Sequence, residues 1–179
     1  MQHEQDDRRS ITLSEVMTPE KANFGGNVHG GHLLLLLDNV AYACATRYAG
    51  HYVVTLSVDK VLFKNPIHVG EVITCHANVN YVGRTSLEVG IKVVAENLEN
   101  GEIRHTNSCY FTMVALDKNH KPVAIKPLVI RNDLDERRHE EAKLRKEMAQ
   151  LSAQEHEKRK MELEQKRGHT QSPARQQGN

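Results

Sequence analysis

Tryptophan is absent from this chain, and aromatic residues make up only 4% of it. A surface that grips nucleic acid by stacking bases on aromatic rings is therefore not expected. Charge is nearly balanced, with a formal net of +1, so no global field draws the chain to nucleic acid or to anionic membranes. The three cysteines, Cys44, Cys75 and Cys109, are scattered and form no CxxC pair, which excludes a disulfide framework and a thiolate zinc site. The opening MQHEQDDRRS carries charge and no apolar core, so no secretory signal is expected and the setting reads as cytoplasmic. No apolar run reaches the 18 or so residues of a membrane span.

What the chain does have is concentrated in Asn23–Arg47, NFGGNVHGGHLLLLLDNVAYACATR. Four glycines (Gly25, Gly26, Gly30, Gly31) precede five consecutive leucines, and Asp38 and Asn39 are the strongly polar residues between Leu33 and Ala45. An all-leucine run has no readable period, so composition arbitrates. Leucine and alanine favour helix, and no β-branched residue precedes Val40. The expectation is a helix from Gly30 to Tyr48, stopped by Gly50, apolar on nearly every side and so buried on nearly every side.

Around that helix the character is β. Residues 1–10 read as a polar, frayed arm, and Ile11–Met17 alternates as a short strand. Four strands are expected after Gly50: Val53–Lys64 closed by Pro66, Glu71–Val82, Ser86–Asn97 and Ile103–Leu116. Gly83-Arg84 marks one turn and Asn100-Gly101 reads as a type I′ hairpin. Val123–Ile130 is an extended exit. With no second helix between the strands the sheet must be antiparallel, and it can hide one apolar helix only by curling around it. The fold class is α+β, a hot-dog arrangement over residues 11–131. One such sheet leaves an edge and a helix flank uncovered, which a second copy would bury. Residues 132–167 read as a charged, solvated helix whose seam of Leu144, Met148 and Leu151 is too short for a coiled coil. Residues 168–179 read as a disordered tail.

Several motifs fail on inspection. The run from Gly26 to Gly31 lacks the Lys-Ser/Thr pair of a phosphate loop. His29 and His32, spaced i, i+3, have no third ligand nearby, so no metal is expected. Cys44 reads as an inert buried thiol, and no GxSxG elbow is present. Asp38 is different, because a carboxylate inside an apolar helix must be offset by hydrogen bonds or by function. It reads either as a structural carboxylate or as a general base or nucleophile. It lies roughly 10 Å along the axis from Gly31, too far to serve the N–H groups at its own helix start. Two antiparallel copies would bring one Asp38 to the other copy's Asn23 and Gly30-Gly31 turn. Asp59, on a strand beside Lys60, reads as structural.

Asn23-x-x-Gly26-x-x-His29-Gly30-Gly31 followed by Leu34, Leu35 and Asp38 resembles the acyl-CoA hydrolases of the hot-dog superfamily, in particular the bacterial and brain cytosolic acyl-CoA thioesterases. Ser57-Val58-Asp59, Phe63-Lys64-x-Pro66, Val69-Gly70 and Gly83-Arg84-Thr85-Ser86 fit that resemblance in the same order, over about Leu13–Arg131. His32 departs from it, since relatives typically carry Glu there. The resemblance implies that Asn23 and Asp38 are the catalytic pair. It also implies a dimer, assembled as a hexamer of three dimers, hydrolysing fatty acyl-CoA to fatty acid and coenzyme A with no separate cofactor. Under that reading the helix start at His29, Gly30 and Gly31 receives the thioester oxygen, and Arg84, Thr85 and Ser86 hold the coenzyme. An acyl-CoA sensor and an enoyl-thioester hydratase are the alternatives on the same scaffold.

Overall fold

The computed structural model describes residues 6–170. The central helix α1 spans Gly30–Ala49. It ends where expected, because Gly50 takes the left-handed conformation (φ 69°) that closes a helix, its N–H donating to Thr46 O at 2.9 Å. Five strands surround it: β1 (Ser10–Val16), β2 (Tyr52–Val58), β3 (Val72–Val82), β4 (Ser86–Glu96) and β5 (Ile103–Leu116). They form one antiparallel sheet in the order β1-β3-β4-β5-β2, and α1 touches every strand. This is the curled sheet around a helix that the sequence implies.

Alternation drives the packing. Ile73, Cys75, Ala77 and Val79 on β3 face inward, as do Leu87, Val89, Ile91 and Val93 on β4 and Cys109, Phe111 and Met113 on β5. They bury Leu33, Leu36, Leu37, Val40, Ala41, Cys44 and Ala45 of α1. Each large side chain so buried contributes about 1.5–3 kcal/mol. On the opposite face, Asn80 and Glu88 are buried in a polar cluster, Asn80 Nδ2 donating to Glu88 Oε1 at 3.1 Å and Asn78 Nδ2 to Asn80 Oδ1 at 3.2 Å. Gly90 makes room for it, since a Cβ there would lie 2.3 Å from Asn80 Nδ2.

The structure corrects the sequence reading in several places. The helix is not buried all round: Leu34, Leu35, Asn39 and Tyr42 are exposed and Asp38 is half-buried, so one stripe of α1 faces outward. The sheet curls over only part of the helix, and Leu-rich composition could not say which part. Strand β2 stops at Val58, short of Lys64, and residues 59–71 cross to the far side of the sheet, because β2 pairs with β5 while β3 pairs with β1. These two strands are therefore not joined by a hairpin. The Asn100-Gly101 turn is not type I′ either. Only Gly101 has positive φ (72°), and the loop is closed by Gly101 N–H to Asn97 O at 2.8 Å. Of the expected frayed arm 1–10, Asp6–Arg9 is a 3-10 turn, with Arg9 paired to buried Asp135 at 2.7 Å, and residues 1–5 lie outside the described residues.

The described residues divide into two units, with the division between Arg138 and His139. The second helix α2 (Asp133–Thr170) begins in the first unit, where Asn132 Oδ1 accepts from Asp135 N–H at 3.0 Å. It is polar on most faces, and Leu144, Met148 and Leu151 are exposed. It runs three residues past the expected Arg167, and the rest of the expected tail, 171–179, lies outside the described residues.

Candidate active site

The glycine-rich segment before α1 folds into a tight, self-bonded loop. Asn23 Oδ1 accepts from Gly25 N–H at 2.8 Å and Asn27 N–H at 3.2 Å, and Asn23 N–H donates to Asn27 O at 2.6 Å. Because backbone donors point at its oxygen, the amide nitrogen of Asn23 must point away, and it has no partner among the described residues. The exposed Asn23 side chain thus presents an NH2 donor on a rigid turn, with the fully exposed Phe24 beside it.

His29 is the N-cap of α1. Its Nδ1 accepts from Gly31 N–H at 2.9 Å, which places any imidazole N–H on Nε2. Gly31 leaves space for that ring, since a Cβ would sit 3.0 Å from it. His29 therefore takes up the Gly31 donor that the sequence reading assigned to an incoming oxygen. The N–H of Gly30 has no partner among the described residues; it lies beside the ring of Phe63, which is 3.6 Å from where a Gly30 Cβ would stand.

Asp38 sits two turns further on, roughly 12 Å along the axis from Gly30. Thr55 Oγ1 on the edge strand β2 donates to its Oδ1 at 2.7 Å, leaving Oδ2 unengaged among the described residues. Around it α1 and β2 expose Leu34, Leu35, Tyr42, Tyr52 and Leu56. Tyr42 and Tyr52 pack edge to face with centroids 6.3 Å apart. Within one chain, then, Asn23, His29 and Gly30 lie at the start of α1, whereas Asp38 lies along an open apolar stripe.

Arg84, Thr85 and Ser86 form the β3–β4 turn, closed by Gly83 N–H to Ser86 O at 2.7 Å. Arg84 O and Thr85 O accept from Ile125 and Ala115, toward the end of α1 where Tyr48 O–H donates to Pro127 O. The exposed Arg84 side chain has no partner among the described residues. The turn is thus at the opposite end of the helix from His29 and Gly30.

A family model described as the Thioesterase superfamily matches residues 25–102. The solved structure of an apo-hexameric acyl-CoA thioesterase is 32% identical, superposes with a TM-score of 0.79, and covers 83% of this chain and 95% of its own. The chain belongs to the hot-dog acyl-CoA thioesterases. Protein VdlD of Helicobacter pylori is 52% identical to this thioesterase over 142 residues, 79% of this chain and 81% of that protein. An acyl-CoA hydrolase of Staphylococcus aureus, solved with butyryl coenzyme A and coenzyme A, is 26% identical with a TM-score of 0.79, over 88% of this chain and 96% of that one. It has also been solved with an asparagine, an aspartate and a threonine each replaced by alanine.

No cluster of three metal-ligating side chains exists among the described residues, and no described helix is long and apolar enough to cross a membrane. All three thiols are buried, and burial pushes each up to about 12. Asp59 continues the β2 pairing with its N–H to Tyr110 O at 3.0 Å. Thr55 is the residue that sequence reasoning missed. A threonine in a β-strand carries no mark of its own, and its contact with Asp38 exists only in the fold.

Proposed function

We propose that the protein hydrolyses fatty acyl-CoA to fatty acid and coenzyme A at a site shared across a dimer. The observation that carries this reading is Asp38, held at Oδ1 by Thr55 and open at Oδ2, on an uncovered apolar stripe beside an unpaired strand edge. A second copy joined along β2 would cover the stripe and bring its own Asn23 turn toward Asp38. The asparagine, aspartate and threonine replaced in the S. aureus hydrolase follow one another at the same separations as Asn23, Asp38 and Thr55, which supports assigning those roles here.

In this scheme the thioester oxygen lies against the partner's Asn23 amide NH2 and Gly30 N–H, donors placed where negative charge develops. As a base, Asp38 Oδ2 takes a proton from water, the hydroxide adds to the carbonyl carbon, and the C–S bond breaks. The thiolate then takes up the proton and the acid leaves. As a nucleophile, Asp38 adds directly, expels the thiolate and forms an anhydride that water cleaves. Arg84, with Thr85 and Ser86, would hold the phosphates or pantetheine of the coenzyme on the Asp38 side of the dimer. A hydratase would need a free histidine beside the acyl chain, and His29 already commits Nδ1 to Gly31.

Release of free coenzyme A from a panel of acyl-CoAs tests the chemistry, since neither a sensor nor a hydratase liberates it. Mixed Asn23→Ala and Asp38→Ala chains test the sharing. Refolded together they should recover about a quarter of wild-type turnover, because half the dimers are mixed and each carries one intact site. No recovery from confirmed heterodimers would place both residues in one chain's site.

A further inference from the structure

We propose that buried Glu71 and the half-buried Arg104 paired with it form a clasp that positions the Asn23 turn for catalysis, a role that rests on the reading of Asn23 above. Glu71 stands just before β3 and is 2% exposed. Its Oε2 accepts from Arg104 Nη2 at 2.6 Å and from His68 N–H at 2.8 Å, and the same arginine nitrogen donates to Pro66 O at 3.0 Å. The pair therefore holds the backbone of the 66–71 segment at two points. Its far side is tied to Met17, just past β1, through Gly70 N–H to Met17 O at 2.7 Å and Met17 N–H to Glu71 O at 2.8 Å.

That segment is laced to the site loop. Asn27 and His68 form an isolated antiparallel bridge, and Val28 N–H donates to Ile67 O at 2.8 Å. Asn27 in turn closes the Asn23 turn from both sides, through its carbonyl and its N–H. A path of hydrogen bonds joined by single backbone steps thus runs from Arg104 to Glu71 and His68, on through Ile67 to Val28, and from the adjoining Asn27 to Asn23. Stability alone does not explain the pair, because well-packed apolar residues usually do as well as a buried ion pair. Glu71 also leaves Oε1 buried without a partner among the described residues, which an apolar side chain would avoid. What an apolar side chain could not do is accept from Arg104 and His68 at once, and that directional hold is what the Asn23 turn needs. A displacement of the order of 1 Å in a positioning element can cost up to about a hundredfold in rate.

The test is a double-mutant cycle on the full-length chain with acyl-CoA turnover. Asn23→Ala alone should lose about a hundredfold in kcat. Glu71→Leu, folded by circular dichroism, should lose about tenfold in kcat with KM changed by less than about twofold. Added to Asn23→Ala it should cost little more, since the clasp acts through that residue. If Glu71→Leu does not fold, Glu71→Leu/Arg104→Leu leaves no unpaired charge behind and is read by the same criteria. Wild-type kcat in the folded clasp variant, or a full tenfold further loss on top of Asn23→Ala, would overturn the proposal. Near-wild-type turnover in Asn23→Ala itself would instead sink the site assignment on which it rests.

Discussion

Helices α1 and α2 both expose leucines, and the two exposures differ in kind. Leu35 of α1 is 58% exposed and Leu151 of α2 is 65% exposed. On α1 the leftover apolar residues adjoin an uncovered strand edge and surround a carboxylate fixed by Thr55. On α2 they form only a short seam among charges that pair along the helix, such as Lys143 with Glu140 and Arg159 with Glu155. Exposure of a single apolar side chain is ordinary on any protein surface. Continuity of the patch, together with a fixed polar group inside it, is what marks a surface awaiting a partner.

The contrast can be broken most sharply at the carboxylate. Asp38→Asn should keep the fold, since the amide oxygen can still accept from Thr55, and should lose a thousandfold or so in turnover. Purified variant within a few-fold of wild type would remove Asp38 from the chemistry. Next comes Leu35→Gln, which should shift the protein toward monomer in analytical ultracentrifugation and lower turnover in step. A Leu35→Gln protein that assembles and turns over normally would make the α1 stripe no different from α2.

Acid provides a milder probe. Burial works against ionisation of Glu71, but the Arg104 hydrogen bond and charge and the His68 N–H outweigh it and hold the carboxyl below its ordinary 4.5. The stability from this depression is fully present above about pH 4.5 and is lost as pH falls through the lower folded value. Glu71→Gln should therefore flatten the acid limb of the melting-temperature profile and leave the limb above neutrality parallel to wild type. An unchanged acid limb would deny the carboxylate its share. The smallest effect belongs to α2: Leu144→Gln/Met148→Gln/Leu151→Gln should leave turnover unchanged and stability within about 0.5 kcal/mol per site. A large loss there would give that seam a partner after all.

The stop of α1 at Gly50 and the bounds of β5 were legible in the sequence, because each rests on local chemistry: one glycine able to take positive φ, and one long alternating run. The end of β2 was not. Val61, Leu62 and Phe63 look like strand residues, but they belong to a crossing segment that packs near the helix start, a long-range fact. Asp38 could be singled out as a lone carboxylate among leucines. Its half-exposed position could not, because an all-apolar helix gives no sign of which side the sheet leaves bare. The capping of Gly31 by His29 was equally hidden, since histidine is not among the usual N-cap residues.

Asn80 and Gly90 impose an order on sequence change. A Cβ at position 90 would stand 2.3 Å from Asn80 Nδ2 and 3.3 Å from the Tyr110 ring, and Asn80 cannot swing aside while Asn78 and Glu88 hold it. Any lineage that replaces Gly90 must first shrink position 80. The two sites, ten residues apart on neighbouring strands, can therefore be traversed in one direction only. Gly90→Ala alone is a dead end, whereas the same change after Asn80→Ser is an open path.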